Sequence, residues 1–282
     1  MKEQIITAAK NTWCPGCGNF PIEHMMKSAL LELSQQGIPL EKVVLVSGIG
    51  QHGKIADYLG VNSFYAIHGR AIPVATGIKV SNPDLSVICF LGDGDCYAEG
   101  LDHLIFAAKR NIDITAIVHN NRVYALTTGQ YTPTSPEGFK GRSTPRGTIE
   151  RPINPLELVL VSGGTYIARG YTRKIQPLKE TFKEAILHKG FSFIDVLQIC
   201  ATYYDVHRCY DELVYPLQDH NPTDYGRALD KAREWDYDSK APIPLGTFYT
   251  ADLPTFEEHF IRKEEKKVDR EEKIRKILTD AI

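Results

Sequence analysis

Residues 86–100, "SVICFLGDGDCYAEG", run from an apolar segment through a turn of glycine and aspartate into the start of a helix. An apolar run of this length predicts a strand covered on both faces, as in a parallel sheet. Gly92 and Gly94 let the backbone approach a ligand closely, and a helix that begins near Ala98 favours an anion such as a pyrophosphate. Because two anions repel each other, Asp93 would reach that ligand through a divalent cation. An ordinary β-turn explains G-D-G equally well.

The rest of the chain repeats this alternation of short apolar runs and helical patterns. Further strands are predicted at residues 43–48, 63–68, 114–119, 165–169 and 192–199. Helices with one apolar face are predicted at residues 98–110 and 174–188. Such an alternation, with right-handed crossovers, predicts an α/β fold with a mostly parallel, doubly wound sheet.

Two segments depart from the alternation. Residues 127–155 are rich in Thr, Pro and Gly without a sustained period, and a loop of that length is usually functional or disordered. Residues 261–282 are highly charged and predict a helical tail. We therefore divide the chain into one domain over residues 1–260 and a tail over residues 261–282.

The composition excludes several classes of protein. The hydrophobic content of 43%, the charged content of 24% and the formal net charge of −2 are those of a globular protein and argue against a general binder of nucleic acid or of anionic membranes. No apolar run reaches the roughly 18–20 residues that span a bilayer, and the first residues lack the apolar core of a secretory signal. Six cysteines in 282 residues do not make a small disulfide scaffold. These features predict a cytoplasmic protein.

A second polar turn follows the strand at residues 114–119. It reads "NNRVY", residues 120–124. Adjacent parallel strands bring their C-terminal ends to one edge, so Asp93 and Asn121 are expected to be neighbours, with the Val123 carbonyl completing an oxygen shell for Mg²⁺. G-D-G followed by this asparagine resembles the thiamine-diphosphate motif, and two unrelated turns are the alternative.

A third motif, "WCPGCGN" at residues 13–19, places Cys14 and Cys17 on a tight turn. Such a turn directs two thiolates at one point, as iron–sulfur clusters and zinc sites require. A thioredoxin-type redox pair normally follows a strand, and none precedes this turn. Zinc would need a second close Cys or His pair, which is not obvious. Two buried free cysteines are the remaining alternative.

These motifs occur in a characteristic order with "HGRAIPVATGIK" at residues 68–79 and "NRVYALTTGQYTPTS" at residues 121–135. In that combination the chain resembles the β subunit of 2-oxoacid:ferredoxin oxidoreductases from about residue 10 to about residue 260. The resemblance implies a pyrophosphate domain for thiamine diphosphate, with Mg²⁺ and an iron–sulfur cluster of the [4Fe–4S] type. It also implies an α subunit as partner, because in this family the glutamate that touches the aminopyrimidine ring lies on the other subunit.

The resemblance further implies the reaction. A 2-oxoacid would undergo thiamine-dependent oxidative decarboxylation to acyl-CoA and CO₂, and electrons would pass through the cluster to ferredoxin. "LTTGQ" at residues 126–130 favours 2-oxoglutarate or a broad range of 2-oxoacids over pyruvate. The chain would be active only together with its α subunit.

Individual roles follow from matching the motifs. Asp93, Asn121 and the Val123 carbonyl would hold Mg²⁺. His68 and Thr127 are the catalytic candidates, although His68 could instead merely cap its turn. The residues implied to contact or border the cofactor are Gly48, Ile49, Gly50, His68, Gly69, Gly92, Asp93, Gly94, Asp95, Asn121, Val123, Tyr124, Leu126 and Thr127.

The cluster site departs from the family pattern at one position. Cys14, Cys17 and Cys200 match three cysteines of the family, but Gln51 stands where a further cysteine usually follows G-I-G. A neutral amide is a poor ligand for iron beside sulfide. The fourth iron could be held by Gln51, His52, Cys209 or solvent, it could be lost to leave [3Fe–4S], or the cysteines could be small buried residues without a cluster. Three matching thiols favour a cluster.

Two other functions stay open. Without a cluster the chain would fit a non-redox thiamine-diphosphate lyase or decarboxylase subunit. It could also be a non-catalytic assembly partner.

Overall fold

The computed structural model describes residues 5–260 and 269–280. Its strands within these ranges are β1 (Val43–Ser47), β2 (Asn62–Tyr65), β3 (Ser86–Gly92), β4 (Thr115–Asn120), β5 (Val123–Tyr124), β6 (Gln130–Tyr131), β7 (Tyr166–Tyr171), β8 (Ser192–Leu197), β9 (Val214–Pro216) and β10 (Ile243–Thr250). Eight of them form one sheet in the order β2-β1-β3-β4-β8-β7-β10-β9, and β5 pairs with β6 as a separate hairpin. Six strands of the large sheet are mutually parallel, while β10 runs antiparallel to β7 and β9 lies parallel to β10.

The helices connect these strands and flank the sheet. They are α1 (Asn19–Gln35), α2 (Ile55–Tyr58), α3 (Ala71–Ser81), α4 (Leu101–Arg110), α5 (Pro155–Val161), α6 (Ile175–Leu187), α7 (His207–Leu213), α8 (Tyr225–Arg233) and α9 (Arg270–Asp280). Short 3₁₀ turns lie at Leu40–Lys42, His52–Lys54 and Glu257–His259. No helix in the described ranges is long and apolar enough to cross a membrane.

The sheet is covered on both faces, since its central strands β4, β7 and β8 are buried at every position. In β3, Ile88 and Phe90 pack with the buried residues of α1 and α6, whereas Cys89 and Leu91 pack with those of α3, α4, α5 and α8. Successive side chains of a strand point to opposite faces, so one continuous apolar run serves two cores. The predicted α/β fold with a mostly parallel, doubly wound sheet is confirmed.

The six strands predicted from apolar runs correspond to β1, β2, β3, β4, β7 and β8, and the two predicted helices correspond to α4 and α6. One difference concerns the helix after β3. Ala98 lies in a single π-helical turn, Asp95–Glu99, and the regular helix begins only at Leu101. Turns of this kind are frequent at functional sites because they redirect a few side chains within a helix.

The long segment after β6 has irregular structure, as predicted. Residues 132–154 form turns with one isolated bridge between Gly141 and Thr144. In the tail, α9 agrees with the predicted charged helix, and its Ile274 and Leu278 are exposed. Residues 261–268 and 281–282 lie outside the described part, and the division of the chain at residue 260 stays a prediction.

Candidate active site

The C-terminal ends of β1, β3 and β4 meet at one edge of the sheet and form a cleft of about 80 Å³. The residues lining it are Ile49, Gly50, Gln51, His52, His68, Gly92, Asp93, Gly94, Asp95, His119, Asn121, Val123, Tyr124, Ala125, Leu126 and Thr127. Every residue predicted to border the cofactor is among them except Gly48 and Gly69. Those two lie directly behind Asp95: a Cβ on Gly48 would clash with the Asp95 carboxylate, and the Gly69 amide donates to Asp95 Oδ1 at 2.7 Å.

Asp93 is buried at the end of β3 and is fixed by the long loop after β6. The hydroxyls of Thr132 and Thr134 both donate to Asp93 Oδ2, the second at 3.1 Å. Burial raises the pKa of Asp93 to about 6 in spite of these hydrogen bonds, because the charged form loses its hydration. A cation bound beside this carboxylate would remove that penalty.

The other two predicted Mg²⁺ ligands share one turn after β4. The Val123 amide donates to Asn121 Oδ1 at 3.0 Å, so the asparagine side chain and the Val123 backbone are held together. A carboxylate, an amide oxygen and a carbonyl are the hard oxygen donors that Mg²⁺ prefers. Within residues 5–260 and 269–280, no three His, Cys, Asp or Glu side chains are grouped to hold a metal ion. The set at this cleft contains one carboxylate and would depend on phosphate oxygens to complete the shell.

A buried polar network behind the cleft was not predicted from the sequence. Asp195, in the middle of β8, accepts hydrogen bonds from Tyr97 (2.7 Å), Asn120 (3.0 Å) and Tyr237 (2.6 Å). Asn120 Oδ1 lies 2.9 Å from Thr134 Oγ1, which also contacts Asp93. Through Asp195, Asn120 and Thr134, polar contacts thereby extend from the core tyrosines to the surroundings of the candidate metal ligand.

The cationic end of this network is Arg169, whose side chain is fully buried. Its guanidinium donates to the Tyr237 hydroxyl at 3.1 Å and lies 5.1–5.3 Å from the ring centroids of Trp235, Tyr237 and Phe248. Arg169 and Asp195 are register partners on neighbouring parallel strands. Two opposite charges in the middle of otherwise apolar strands are the signal that could have indicated this network.

Replacing Asp195 by alanine is expected to lower the free energy of unfolding by about 3–5 kcal/mol, because two buried hydroxyls and an amide lose their acceptor. Urea unfolding of the metal-free chain measures this change. Asp102→Ala, at an exposed position of α4, is the matched control and should change stability by less than about 0.5 kcal/mol. A loss for Asp195→Ala no larger than that of the control would contradict the assigned role.

Asp95 lies at the back of the cleft and is held by neighbours on both sides. Burial alone would raise the pKa of its carboxyl, but His52, the Gly69 amide and the charge of His68 together lower the pKa below its ordinary value. The carboxylate therefore stays ionised in a nearly closed environment.

Tyr124 and the hairpin β5–β6 form the outer wall of the cleft. The Tyr124 ring lies directly over Gly94, where it leaves no room for a Cβ, and its hydroxyl donates to the Glu99 carboxylate at 3.2 Å. Thr127 donates to Gln130 Oε1 at 2.7 Å, and Leu126 is 45% exposed. The structure therefore places Leu126 and the catalytic candidate Thr127 at the open mouth of the cleft.

The structure brings the segments of the three predicted cluster cysteines together. The Cys17 amide donates to the Cys14 carbonyl at 3.1 Å, and the Gly18 amide donates to the Ile199 carbonyl at 3.0 Å, which seats the C-P-G-C turn beside Cys200. Burial raises the pKa of Cys17 to about 11, and the charges of Cys200 and Cys14 contribute. Burial and the neighbouring cysteines thus disfavour the thiolate form of Cys17, and bound iron would stabilise that form.

Gln51 joins this group through its backbone. The Trp13 indole, next to Cys14, donates to the Gln51 carbonyl at 2.7 Å. Gln51 Oε1 is buried and has no hydrogen-bond partner among the described residues. Of the other cysteines, Cys89 and Cys96 are buried and Cys209 is exposed on α7.

Comparisons with known proteins agree with this geometry. Residues 48–196 match the family described as "Thiamine pyrophosphate enzyme, C-terminal TPP binding domain", and residues 200–265 match the family of C-terminal regions of pyruvate ferredoxin oxidoreductase beta subunits. The chain is 44% identical over 265 residues to the 2-oxoacid:ferredoxin oxidoreductase subunit beta of a Sulfolobus species, covering 88% of this chain and 85% of that protein. It is 40% identical over 191 residues to the 2-oxoglutarate synthase subunit KorB of Archaeoglobus fulgidus, covering 68% and 70%.

A solved structure is similar over nearly the whole chain. It is the 2-oxoglutarate:ferredoxin oxidoreductase from Magnetococcus marinus with 2-oxoglutarate, coenzyme A and succinyl-CoA bound. The TM-score is 0.88 at 33% identity, and the match covers 96% of this chain and 94% of that one.

Proposed function

The chain belongs to the family of 2-oxoacid:ferredoxin oxidoreductase β subunits, and we propose that it is the thiamine-diphosphate-binding half of such an enzyme. The family resemblance drawn from the motifs is thereby confirmed. The proposed reaction converts a 2-oxoacid, coenzyme A and oxidised ferredoxin to acyl-CoA, CO₂ and reduced ferredoxin. The observation that carries the proposal is the meeting of Asp93, Asn121 and Val123 at one sheet edge, inside the segment that matches the cofactor-binding family.

In this assignment Asp93, Asn121 and the Val123 carbonyl would hold Mg²⁺, with Thr132 and Thr134 fixing the rotamer of Asp93. Thiamine diphosphate, when bound, supplies a nucleophilic carbon and an electron sink for the pair released on loss of CO₂. The back wall of the cleft is buried at His52, Asp93, Asp95 and His119, so it would limit the access of water to a bound cofactor from that side. His68 and Thr127 lie on the open side, where they can contact an oxygen of the substrate.

An iron–sulfur cluster is proposed at Cys14, Cys17 and Cys200. The C-P-G-C turn, which backbone hydrogen bonds hold beside the segment of Cys200, supports it, and the amide of Gln51 does not supply a fourth thiolate. A cluster there would accept single electrons, which a ferredoxin partner requires. Each thiolate of a cluster binds a different iron, so the cysteines need not converge as ligands of one ion do.

An α subunit is proposed to cover the mouth of the cleft. Ile49 and Leu126 line that mouth and are exposed, and Phe64, Tyr65 and Ile67 are exposed apolar side chains on β2 and the turn that leads to His68. An exposed apolar patch beside a site is typical of a surface that a partner covers. Neither nucleic acid nor a membrane is proposed as a partner. A cytoplasmic location stays a prediction. The six free thiols agree with it.

The substrate is proposed to be 2-oxoglutarate or a range of 2-oxoacids. Two similar proteins, from Archaeoglobus fulgidus and Magnetococcus marinus, carry 2-oxoglutarate in their names. The residues at the mouth belong to the motif "LTTGQ", which favours this substrate.

Co-expression of the chain with its partner subunit tests the function. The purified complex is expected to reduce ferredoxin only when a 2-oxoacid, coenzyme A and thiamine diphosphate are all present, with 2-oxoglutarate used at least as well as pyruvate. Either of the two subunits on its own should be inactive. Decarboxylation without acceptor reduction would establish the non-redox lyase alternative instead, and a complex without any turnover would indicate an assembly role.

A further inference from the structure

His52 is a buried histidine of the cleft to which the proposed function gives no task. It is 6% exposed and follows the residue at the unusual cluster position. A Cβ on Gly50 would lie 2.6 Å from its ring Cε1, and a Cβ on Gly92 would lie 2.8 Å from its Nδ1. The imidazole is thus enclosed between two glycines, which are required here by the size of the ring.

Asp95 connects His52 with His68 across the back of the cleft. Its Oδ2 lies 3.4 Å from His52 Nε2, and its Oδ1 accepts the Gly69 amide at 2.7 Å and lies 3.7 Å from His68 Nδ1. The side chain of His68 is 34% exposed, whereas that of Asp95 is 1% exposed. The three groups therefore run from the interior to the open cleft.

These atoms have few other partners. His52 Nε2, Asp95 Oδ2 and His68 Nδ1 are buried and have no hydrogen-bond partner within the described residues, so the contacts of 3.4 and 3.7 Å between these side chains are ion-pair contacts. His68 Nδ1 also lies 3.3 Å from Glu99 Oε2, so two carboxylates flank the same ring nitrogen. Because buried polar atoms are costly to leave unpaired, each of the three is constrained by its neighbour in the series.

We propose that His52 is a positioning residue for His68. By fixing one oxygen of Asp95, His52 leaves the other oxygen directed at the Gly69 amide and at His68 Nδ1. The opposite nitrogen of His68, Nε2, is then presented to the cleft, where it can hydrogen-bond an oxygen of the bound 2-oxoacid. A carboxylate that fixes the tautomer and orientation of an active-site imidazole is a general device of catalytic and metal sites.

The inference rests on the proposed function, since it takes the cleft to be the thiamine-diphosphate site. The test is a double-mutant cycle in the assembled complex, comparing His52→Ala, His68→Gln and both together. His52→Ala is expected to lower kcat about 10–100-fold, as loss of an outer partner of a site residue does, with less than about a threefold change in thiamine-diphosphate affinity. In the His68→Gln background the same change should have almost no further effect, because its target is already absent.

Chemical rescue gives a second readout that a merely structural role would not move. His52→Ala leaves a space of imidazole size between Gly50 and Gly92, beside the cleft. Free imidazole is expected to raise the kcat of His52→Ala at least about fivefold and to leave the kcat of the double variant unchanged. His24→Ala, at an exposed position of α1, should retain full activity and show no response to imidazole.

His52→Gln keeps a hydrogen-bond donor toward Asp95 and replaces the alanine variant if that variant does not assemble. Its kcat should fall less than that of His52→Ala. Combined with His68→Gln, it should cause no further loss of kcat. Additive losses in the cycle would overturn the inference. Thiamine-diphosphate binding and turnover by the wild-type complex are measured in the same series. Their absence would overturn the proposed function itself, whereas additive losses in an active complex affect only the role of His52.

Discussion

Replacement of Asp93 by asparagine is expected to abolish magnesium-dependent binding of thiamine diphosphate and to lower kcat/KM of the complex by more than about 100-fold. Asparagine keeps the shape of the side chain and its contacts with Thr132 and Thr134 but removes the single charge of the proposed oxygen set. Loss of a mere outer-shell partner already costs 10–100-fold in comparable sites, so loss of the charged ligand should exceed that. Calorimetric titration with thiamine diphosphate and Mg²⁺ measures the binding.

The same substitution should stabilise the chain in the absence of metal. The pKa of Asp93 is about 6 in the folded chain and 3.8 ordinarily, so the folded state binds the proton more tightly than the unfolded state. Stability of the metal-free wild type should therefore fall as the pH rises from about 4 to above 6, by up to about 3 kcal/mol. Asp93→Asn carries no titrating group and should exceed the wild type by that amount at pH 8 and match it below pH 4.

Asp102→Asn is the control for both measurements, since its side chain is 69% exposed. It should leave cofactor binding and the pH dependence unchanged. If Asp93→Asn bound thiamine diphosphate with wild-type affinity, the assignment of Asp93 as a metal ligand would be wrong. If it were less stable than the wild type at pH 8 without metal, the buried charge would not be destabilising.

The parallel core of the sheet could be predicted because its strands are buried on both faces and appear as largely apolar runs. The antiparallel end could not. In β10, proline and glycine interrupt "IPLGTFYT", and β9 has only three residues. Helix α1 does carry a clear signal, with Ile22, Met26, Leu30 and Leu33 buried at helical spacing, and could have been predicted.

The meeting of Asp93 with Asn121 followed from the rule that parallel strands end at one edge. The residues that cover this site could not be predicted, because Thr132 and Thr134 come from an irregular segment without a sequence period. The glycines show a second limit. A glycine-rich turn indicates that space is needed, but only the fold shows that Gly92 makes room for His52.

Replacement of Cys17 or Cys200 by serine is expected to remove the iron–sulfur cluster. Serine is a poor ligand for iron beside sulfide, and the three-thiol set has no fourth thiolate in reserve at Gln51. Absorbance near 400 nm and the electron paramagnetic resonance signal of the reduced complex should disappear, and ferredoxin reduction should fall more than about 100-fold. Thiamine-diphosphate affinity should stay at the wild-type value, because the cysteines do not line the cleft.

Cys209→Ser is the matched control, since this thiol is exposed on α7 and should not affect iron content.

The wild-type complex allows a second test, the sensitivity of its cluster to air. With a neutral amide at residue 51, one iron lacks a thiolate, so brief exposure to air should convert part of the cluster to the three-iron form with its distinct resonance signal. Gln51→Cys, whose backbone Trp13 fixes beside Cys14, should suppress that conversion. An iron-free wild-type complex that still reduces ferredoxin would refute the cluster. A cluster that is equally stable in air with glutamine or with cysteine at residue 51 would show that another group already holds the fourth iron.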